Sequence, residues 1–172
     1  VVGLAAPDRL AFGIGPGAID PALLPPEHGE TAEGTVFEAS PARTALMQVI
    51  AGRIAETGGC GLVFDYGHLA PGFGDTFQAV RAHRPEDPLA HPGEADLTSH
   101  VDFHALVTVA RAAGLEAHLA TLERAGRLGA AAGPERREAI RGEVERLAGP
   151  GQMGALFKVL ALGPKGTVLP GF

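Results

Sequence analysis

Short apolar runs alternate along the chain with segments rich in proline, glycine and charge. Residues 1–14, VVGLAAPDRLAFGI, predict two short strands around the turn APDR. The run CGLVFDY at 60–66 is apolar on both faces, which predicts a strand inside a parallel sheet covered on two sides. Further strands are predicted for GTVFEAS at 34–40, LEAHLATL at 115–122 and GALFKVLALG at 154–163. Because 25 glycines and 14 prolines exceed a fifth of the chain, loops are expected to be plentiful.

Three helices are predicted from apolar residues that recur every three or four positions. The first begins with Ser40 as N-cap and Pro41 at its first position, and a glycine pair ends it. The second has Asp102 as its cap, and the third is the amphipathic segment 133–147. The inward-facing residues predicted for the three helices are Leu46, Ile50 and Ile54, then Phe103, Leu106, Val107 and Ala110, and then Ile140, Val144 and Leu147.

Helices and strands alternate in the second part of the chain, which predicts an α/β fold with one side of a doubly wound sheet. We expect a single partial domain. Its predicted parts are a hairpin and loop at 1–40, a helix and strand at 41–68, a long loop at 69–101, helices and the last strands at 102–162, and a tail at 163–172. The long loop has no convincing periodicity, and a connection of that length in a compact domain is usually a lid or a binding loop.

Composition excludes several classes of protein. The 172 residues, 45% of them hydrophobic and 20% charged, are typical of a soluble domain with a core. No apolar run approaches the roughly 18 residues of a spanning helix, and the net charge of −6 argues against nucleic acid as the partner. The single Cys60 lies in an apolar run and is expected to be a buried, inert thiol. The start VVGLAAP is typical of the interior of a longer protein.

The glycines at 13, 15 and 17, with Glu38 some way downstream, imitate a nucleotide-binding fingerprint. The fingerprint requires a helix directly after the glycines, so that the helix N-terminus faces the phosphate. Here DPALLPPEHGE follows, and consecutive prolines do not fit inside a helix. We therefore favour a loop at this position.

Polar residues gather between positions 65 and 104. Asp65, Tyr66 and His68 follow the apolar strand, where the carboxyl end of a parallel strand faces the ligand crevice of α/β proteins. Gly67 would let the backbone turn sharply there. Local structure explains these residues equally well, with Asp65 capping a turn and Tyr66 packing with its hydroxyl in water. Capping of a helix also explains Asp102 without any chemistry.

The segment HVDFH suggests a metal site, because His100, Asp102 and His104 alternate and His83 and His91 lie upstream. A hydrolase using metal-bound water would then be possible. Alternation brings ligands together only on a strand, however, and Asp102 begins a predicted helix. Covalent catalysis has little support, since the sequence contains no nucleophile elbow.

Three blocks of sequence are distinctive enough to indicate a family: DYGH at 65–68, GDTFQAVRAHRPEDPLAHPGEADLTSHVDFHAL at 74–106 and MGALFKVLAL at 153–162. They resemble the same blocks, in the same order, of the MidA family of class I S-adenosylmethionine-dependent methyltransferases. The resemblance covers about residues 36–162. Mitochondrial members of that family are complex I assembly factors with protein-arginine methyltransferase activity.

The resemblance implies the C-terminal part of a Rossmann-like class I methyltransferase sheet, with a β-hairpin and a long loop insertion. The last strand would be inserted antiparallel between its neighbours. The family's glycine-rich cofactor motif, its acidic ribose-binding strand and its Asn-Glu-Phe-Phe-Asp-Ala catalytic segment have no counterpart in this sequence. We therefore expect S-adenosylmethionine to serve the complete protein and not to bind this chain alone. Leu122 stands where the family usually has glutamine.

The resemblance also implies that the strand ending at Tyr66 borders the pocket between the cofactor's methyl group and the incoming nucleophile. A guanidinium needs carboxylates to orient it and a group to accept its proton. The predicted catalytic residues are Asp65, Tyr66 and His68, and the predicted substrate-binding residues are His83, Asp96, Thr98, His100 and Asp102.

We thus expect the substrate-side portion of a methyltransferase that modifies a protein arginine. The alternative is a protein-binding or assembly module without cofactor. The predicted partners of the chain are a protein substrate and, through an unpaired sheet edge, further copies of the chain. Neither nucleic acid nor a membrane is expected as a partner. The location is expected to be a bacterial cytoplasm, or the mitochondrion if the source is a eukaryote.

Overall fold

A computed structural model of the chain describes residues 1–25, 29, 31–122 and 153–167. The chain forms two compact units. The first unit comprises residues 1–39 and 72–99, and the second comprises 40–71 and 100–172. The strands are β1 Val2–Ala6, β2 Arg9–Phe12, β3 Gly61–His68, β4 Gln78–Arg81, β5 Arg84–Glu86, β6 Asp96–Thr98, β7 Val101–Asp102, β8 Glu116–Thr121 and β9 Phe157–Gly163, and the helices are α1 Pro41–Thr57, α2 Phe103–Ala112 and α3 Met153–Leu156.

The second unit is built on a four-stranded sheet with the order β7-β3-β9-β8. Strand β9 is antiparallel to both of its neighbours, β3 and β8, whereas β7 and β3 are parallel. The predicted insertion of the last strand between two neighbours is confirmed. Residues 154–156 are helical, so β9 is shorter at its start than predicted. The predicted third helix, 133–147, lies outside the described residues.

Helices α1 and α2 form as their caps predicted. The Ser40 hydroxyl accepts a hydrogen bond from the Arg43 amide at 3.4 Å, Pro41 occupies the first position, and Gly58 follows the last residue with φ +75°. The inward face predicted for α2 is confirmed, since Phe103, Leu106, Val107 and Ala110 are all buried. The face predicted for α1 is partly wrong: the buried residues are Met47, Ala51 and Ile54, whereas Leu46 is 61% exposed.

The apolar core of the second unit lies between these two helices and one face of the sheet. Its buried members, other than those of the helices, are Val101, Leu115, Ala117, Leu160 and Leu162. Val63 of β3 packs against the core, but Leu62 and Phe64 point to the other face and are 59% and 52% exposed. Among the described residues, the prediction that β3 is covered on both faces is therefore wrong.

Cys60 also differs from its prediction. The strand begins at Gly61, so the cysteine lies in the turn that follows Gly58 and Gly59, and it is exposed. The predicted strand begins one residue earlier than β3 does, because Gly58 and Gly59 keep the chain outside the sheet until Gly61.

The first unit contains two small sheets. Strands β1 and β2 form the predicted antiparallel hairpin. Residues 69–101, predicted as a loop, contain β4, β5 and β6 of an antiparallel three-stranded sheet with β4 in the centre. Strands of three or four residues are too short to show periodicity in the sequence, which explains the difference.

Two further segments of the first unit concern the strand predicted at 34–40 and the loop predicted at the glycines 13–17. Residues 34–40 were predicted as a strand but have no strand partner. Instead, the Glu38 carboxylate accepts hydrogen bonds from the Thr76 amide and, at a short distance, from the Thr76 hydroxyl. The glycines at 13–17 lie in a loop followed only by a three-residue 3-10 helix, Pro21–Leu23. The helix N-terminus that a nucleotide-binding fingerprint requires is therefore not formed there.

Candidate functional site

The carboxyl end of β3 meets β7 at Gly67. A side chain at this position would have its Cβ 2.3 Å from the Val101 carbonyl oxygen and 2.8 Å from the Phe103 ring. Glycine is thus required for the close approach of β7, and not for the sharp turn that was predicted, because β3 stays extended through His68. The parallel pairing sets Gly67 opposite Val101 and His68 opposite Asp102.

His68 and Asp102 form the centre of the candidate site. The imidazole Nδ1 lies 2.7 Å from the Ala70 carbonyl oxygen and 4.0 Å from the Asp102 carboxylate oxygen Oδ1. The two side chains are 36% and 27% exposed, so a ligand can reach them while they remain packed on the sheet. The same carboxylate oxygen accepts a hydrogen bond from the Ala105 amide at 3.0 Å. Asp102 is therefore both the predicted N-cap of α2 and a neighbour of the histidine.

Asp65 and Tyr66 precede this pair on β3 and are half-buried. The Asp65 Oδ1 accepts a hydrogen bond from the Tyr66 amide at 2.8 Å, while no described residue bonds its Oδ2. The Tyr66 ring packs on Phe157 of β9, with 4.3 Å between the ring centroids and an angle of 47°. A short-range backbone contact fixes the acid, and an aromatic contact fixes the phenol ring, at the strand end.

His100 lies just before β7, in the same unit. Its carbonyl oxygen accepts a hydrogen bond at 2.9 Å from the Arg43 guanidinium of α1, which ties the start of β7 to that helix. The second unit thus holds five of the predicted site residues at or beside the β3 and β7 segments: Asp65, Tyr66, His68, His100 and Asp102.

The other predicted site residues belong to the first unit. His83 occupies the turn between β4 and β5, where it and Ala82 have φ values of +62° and +50°. Left-handed backbone at two successive residues is typical of the tight turns that join hairpin strands. Asp96 and Thr98 lie on β6, opposite Val80 and Gln78 of β4. Because side chains alternate along a strand, these two residues share one face of the small sheet.

Sequence reasoning missed a buried cation on β9. Lys158 pairs with Asp65 in the register of the sheet and is only 8% exposed. Its Nζ donates to the carbonyl oxygens of Ala155 at 2.6 Å and Leu156 at 3.0 Å, the last residues of α3. Burial lowers the pKa of this amine from its ordinary value. A single lysine inside the apolar run LFKVLAL was the sequence signal that could have identified it.

Charged residues of the first unit pair with one another. The Arg81 guanidinium lies 2.9 Å from the Glu94 carboxylate, and Glu86 bonds closely to the ring of His91. These contacts use His91, which had been considered as a metal ligand. Across the ranges that the structure describes, no group of three or more His, Cys, Asp or Glu side chains is placed to hold a metal ion.

Comparison with known proteins identifies the class of this chain. Residues 1–121 match the family model described as "Putative S-adenosyl-L-methionine-dependent methyltransferase". The chain belongs to this family, and the resemblance found in the sequence motifs is confirmed.

Curated relatives agree with that assignment. The chain is 37% identical over 154 residues to the mitochondrial protein arginine methyltransferase NDUFAF7 homolog of Drosophila melanogaster, a match that covers 83% of this chain and 35% of the relative. It is 39% identical over 104 residues to the human mitochondrial protein arginine methyltransferase NDUFAF7, covering 60% of this chain and 23% of the relative. The matched region is thus about a third of the fly protein and less of the human one.

Two crystal structures from Burkholderia thailandensis share the fold. An uncharacterized superfamily protein aligns over 98% of this chain and 49% of its own, with a TM-score of 0.70 and 20% identity. A second superfamily member, bound to S-adenosyl-homocysteine, aligns over 73% of this chain and 36% of its own, with a TM-score of 0.57 and 23% identity. The predicted Rossmann-like methyltransferase fold is confirmed by these structures. Separately, none of the helices in the described ranges has the length and apolarity needed to cross a membrane.

Proposed function

We propose that the chain supplies the substrate side of an S-adenosylmethionine-dependent methyltransferase that acts on a protein arginine. The observation that carries this proposal is that an acid, a phenol and an imidazole occur within four residues at the end of β3, in a chain of a methyltransferase family. The names of the fly and human relatives, protein arginine methyltransferases, support arginine as the methyl acceptor.

The cofactor would supply the methyl group. The residues described here are a poor fit to its nucleotide part, because the loop at Gly13–Gly17 leads into no helix. We assign no cofactor contact to this chain, and the roles below concern the arginine alone.

Asp65 is suited to orient a guanidinium. A carboxylate oxygen that accepts no hydrogen bond from the described residues is available for a charge-assisted N–H bond from arginine, and Oδ2 of Asp65 is such an oxygen. Tyr66, the next residue of β3, points to the opposite face of the strand and offers a separate aromatic surface on which a planar cation stacks.

His68 would accept the proton that the guanidinium loses as it is methylated. An arginine is a poor nucleophile while it is fully protonated, so a base within reach of its N–H group favours the reaction. We further propose that His83, Asp96, Thr98 and His100 contact the protein substrate, as the sequence predicted. Asp102 acts on the histidine, as argued below.

The experiment tests the protein at its natural length, by changing the chromosomal gene. The His68→Gln substitution is compared with His104→Gln, which alters an exposed histidine on α2. Proteome-wide mass spectrometry then measures methylated arginines in both strains. We expect at least one arginine methyl mark to fall by about a hundredfold, as for the loss of a general base, in the His68→Gln strain alone. If every mark is unchanged there, the proposed function is wrong.

A further inference from the structure

The hydrogen bond at the ring of His68 determines which of its nitrogens carries the proton. Nδ1 lies 2.7 Å from the Ala70 carbonyl oxygen. A carbonyl oxygen only accepts hydrogen bonds, so Nδ1 must be the donor in this contact. In the neutral ring the second nitrogen, Nε2, then carries a lone pair and no proton. No described residue bonds Nε2.

The Asp102 carboxylate favours the same arrangement. Its Oδ1 lies 4.0 Å from Nδ1, too far for a hydrogen bond but close enough for its charge to attract the N–H dipole. The Ala105 amide holds that oxygen in place at the start of α2. Because a helical cap fixes the carboxylate, its charge stays beside Nδ1.

The backbone conformation places both the Ala70 carbonyl and the Asp102 carboxylate beside the His68 ring. Gly67 admits β7 to a distance that a Cβ would prevent, and the resulting register sets Asp102 directly opposite His68. The chain then turns immediately after β3, so that the carbonyl of Ala70, two residues beyond the histidine, reaches Nδ1. The glycine at 67, the register of β7 and the turn after β3 thus together determine the surroundings of Nδ1.

We propose that the Ala70 carbonyl and the Asp102 carboxylate hold His68 in its Nδ1-protonated tautomer, which leaves Nε2 as the proton acceptor of the site. Asp102 is then a positioning residue, in place of the substrate contact that the sequence predicted. Only the identity of the proton donor, the substrate guanidinium, rests on the proposed function. The state of the ring is a property of the chain itself.

The tautomer is measured directly by nitrogen NMR of the imidazole rings in the 15N-labelled chain. The resonances of His68 are assigned by their loss in the His68→Gln variant. At a pH at which the ring is neutral, we expect a pyrrole-type resonance for Nδ1 and a pyridine-type resonance for Nε2. His104 is the internal control, since its ring is exposed on the same unit and has no described partner.

The Asp102→Asn variant separates the charge from the helix cap. Asparagine is as good an N-cap as aspartate, so the thermal midpoint should stay within about 2 °C of wild type. The ratio of Nδ1-protonated to Nε2-protonated His68 should fall about threefold, as for the loss of one partly exposed charge interaction. Asp102→Ser, which also keeps a capping oxygen, should give the same change if the first variant folds poorly.

Two results would overturn the inference. One is an Nε2-protonated His68 in the wild-type chain, and the other is an unchanged tautomer ratio in both Asp102 variants. Neither result depends on methyl transfer. Conversely, if the chromosomal experiment shows that the proposed function is wrong, the result of the tautomer measurement still holds. The failure of one proposal can therefore be told apart from the failure of the other.

Discussion

The two units of the chain are stabilised in different ways. Among the described residues, every buried hydrophobic side chain except Ala79 belongs to the second unit, where two helices cover a four-stranded sheet. The first unit is joined by polar contacts, among them Glu38 to Thr76 and Arg81 to Glu94, and by the edge-to-face aromatic pairs Phe12–Phe77 and Phe37–Phe73. Burial of apolar area contributes far more free energy than exposed ion pairs do. Among the described residues, the second unit is therefore the one that apolar burial stabilises.

This difference bears on the candidate site. His68 and Asp102 lie on regular elements that an apolar core supports, which suits residues whose geometry must be held closely. His83 lies on a turn of the first unit, and loops and turns more often serve in recognition. The residues that we propose for the chemistry thus lie on the second unit, whereas His83, proposed to contact the substrate, lies on a turn of the first.

The largest expected effect comes from the core of the second unit. Phe103→Ala should lower the free energy of unfolding by about 3–5 kcal/mol, because it removes a fully buried ring. Phe64→Ala, on the open face of the same sheet, is the matched control and should cost less than about 1 kcal/mol. Denaturant unfolding measures both. Equal costs would mean that the open face is as well packed as the core.

The next effect tests the junction of β3 and β7. Gly67→Ala places a Cβ against the Val101 carbonyl and the Phe103 ring, and overpacking of this kind should cost about 1–3 kcal/mol. Gly72→Ala is the control, since nothing lies within 4 Å of its added carbon. Thermal unfolding compares the two variants. A Gly67→Ala chain as stable as the control would contradict the close approach of β7.

A smaller effect is expected for the polar contacts of the first unit. Glu38→Ala removes both acceptors of Thr76 and should destabilise that unit by about 1–2 kcal/mol. Glu33→Ala changes an exposed acid with no described partner and should have no measurable effect. Hydrogen exchange at the Thr76 amide reports the loss locally. Unchanged protection of that amide would mean that Glu38 does not stabilise this unit through Thr76.

The smallest effect is a dependence of stability on pH. Burial lowers the pKa of Lys158 below 10.5, so between the lowered value and 10.5 the unfolded chain binds more protons than the folded chain. Stability contributed by this group therefore rises with pH across that window. The unfolding free energy of wild type, measured relative to Lys158→Met, should therefore rise with pH across that window. Denaturant unfolding measures this difference, and a constant difference across the window would contradict the prediction.

The sequence predicted those features of the fold that depend on long apolar patterns or on caps. Helix α2 was correct in its cap and its buried face, and the antiparallel place of β9 followed from the family resemblance. The strands β4, β5 and β6 were missed, because each spans only three or four residues. The exposure of Leu62 and Phe64 was missed because an apolar run does not reveal which of its faces is covered.

The sequence predicted which residues belong to the candidate site, but not how they lie relative to one another. The apolar strand followed by polar residues pointed to Asp65, Tyr66 and His68, but the contact between His68 and Asp102 depends on a parallel pairing of residues 34 positions apart. No periodicity encodes such a pairing. Gly67 contributes to it through a close backbone approach, and Lys158 was missed because its buried amine is satisfied only by carbonyl oxygens from the preceding helix.

The most direct test of the account is an NMR titration of the chain with a blocked arginine peptide, acetyl-Gly-Arg-Gly-amide. The same peptide with citrulline in place of arginine is the control, because citrulline keeps the shape and loses the charge. We predict saturable shifts at Asp65, Tyr66 and His68 with arginine and none with citrulline. Equal shifts with the two peptides, or no shifts at the end of β3 with either, would contradict the claim that this strand end receives a guanidinium.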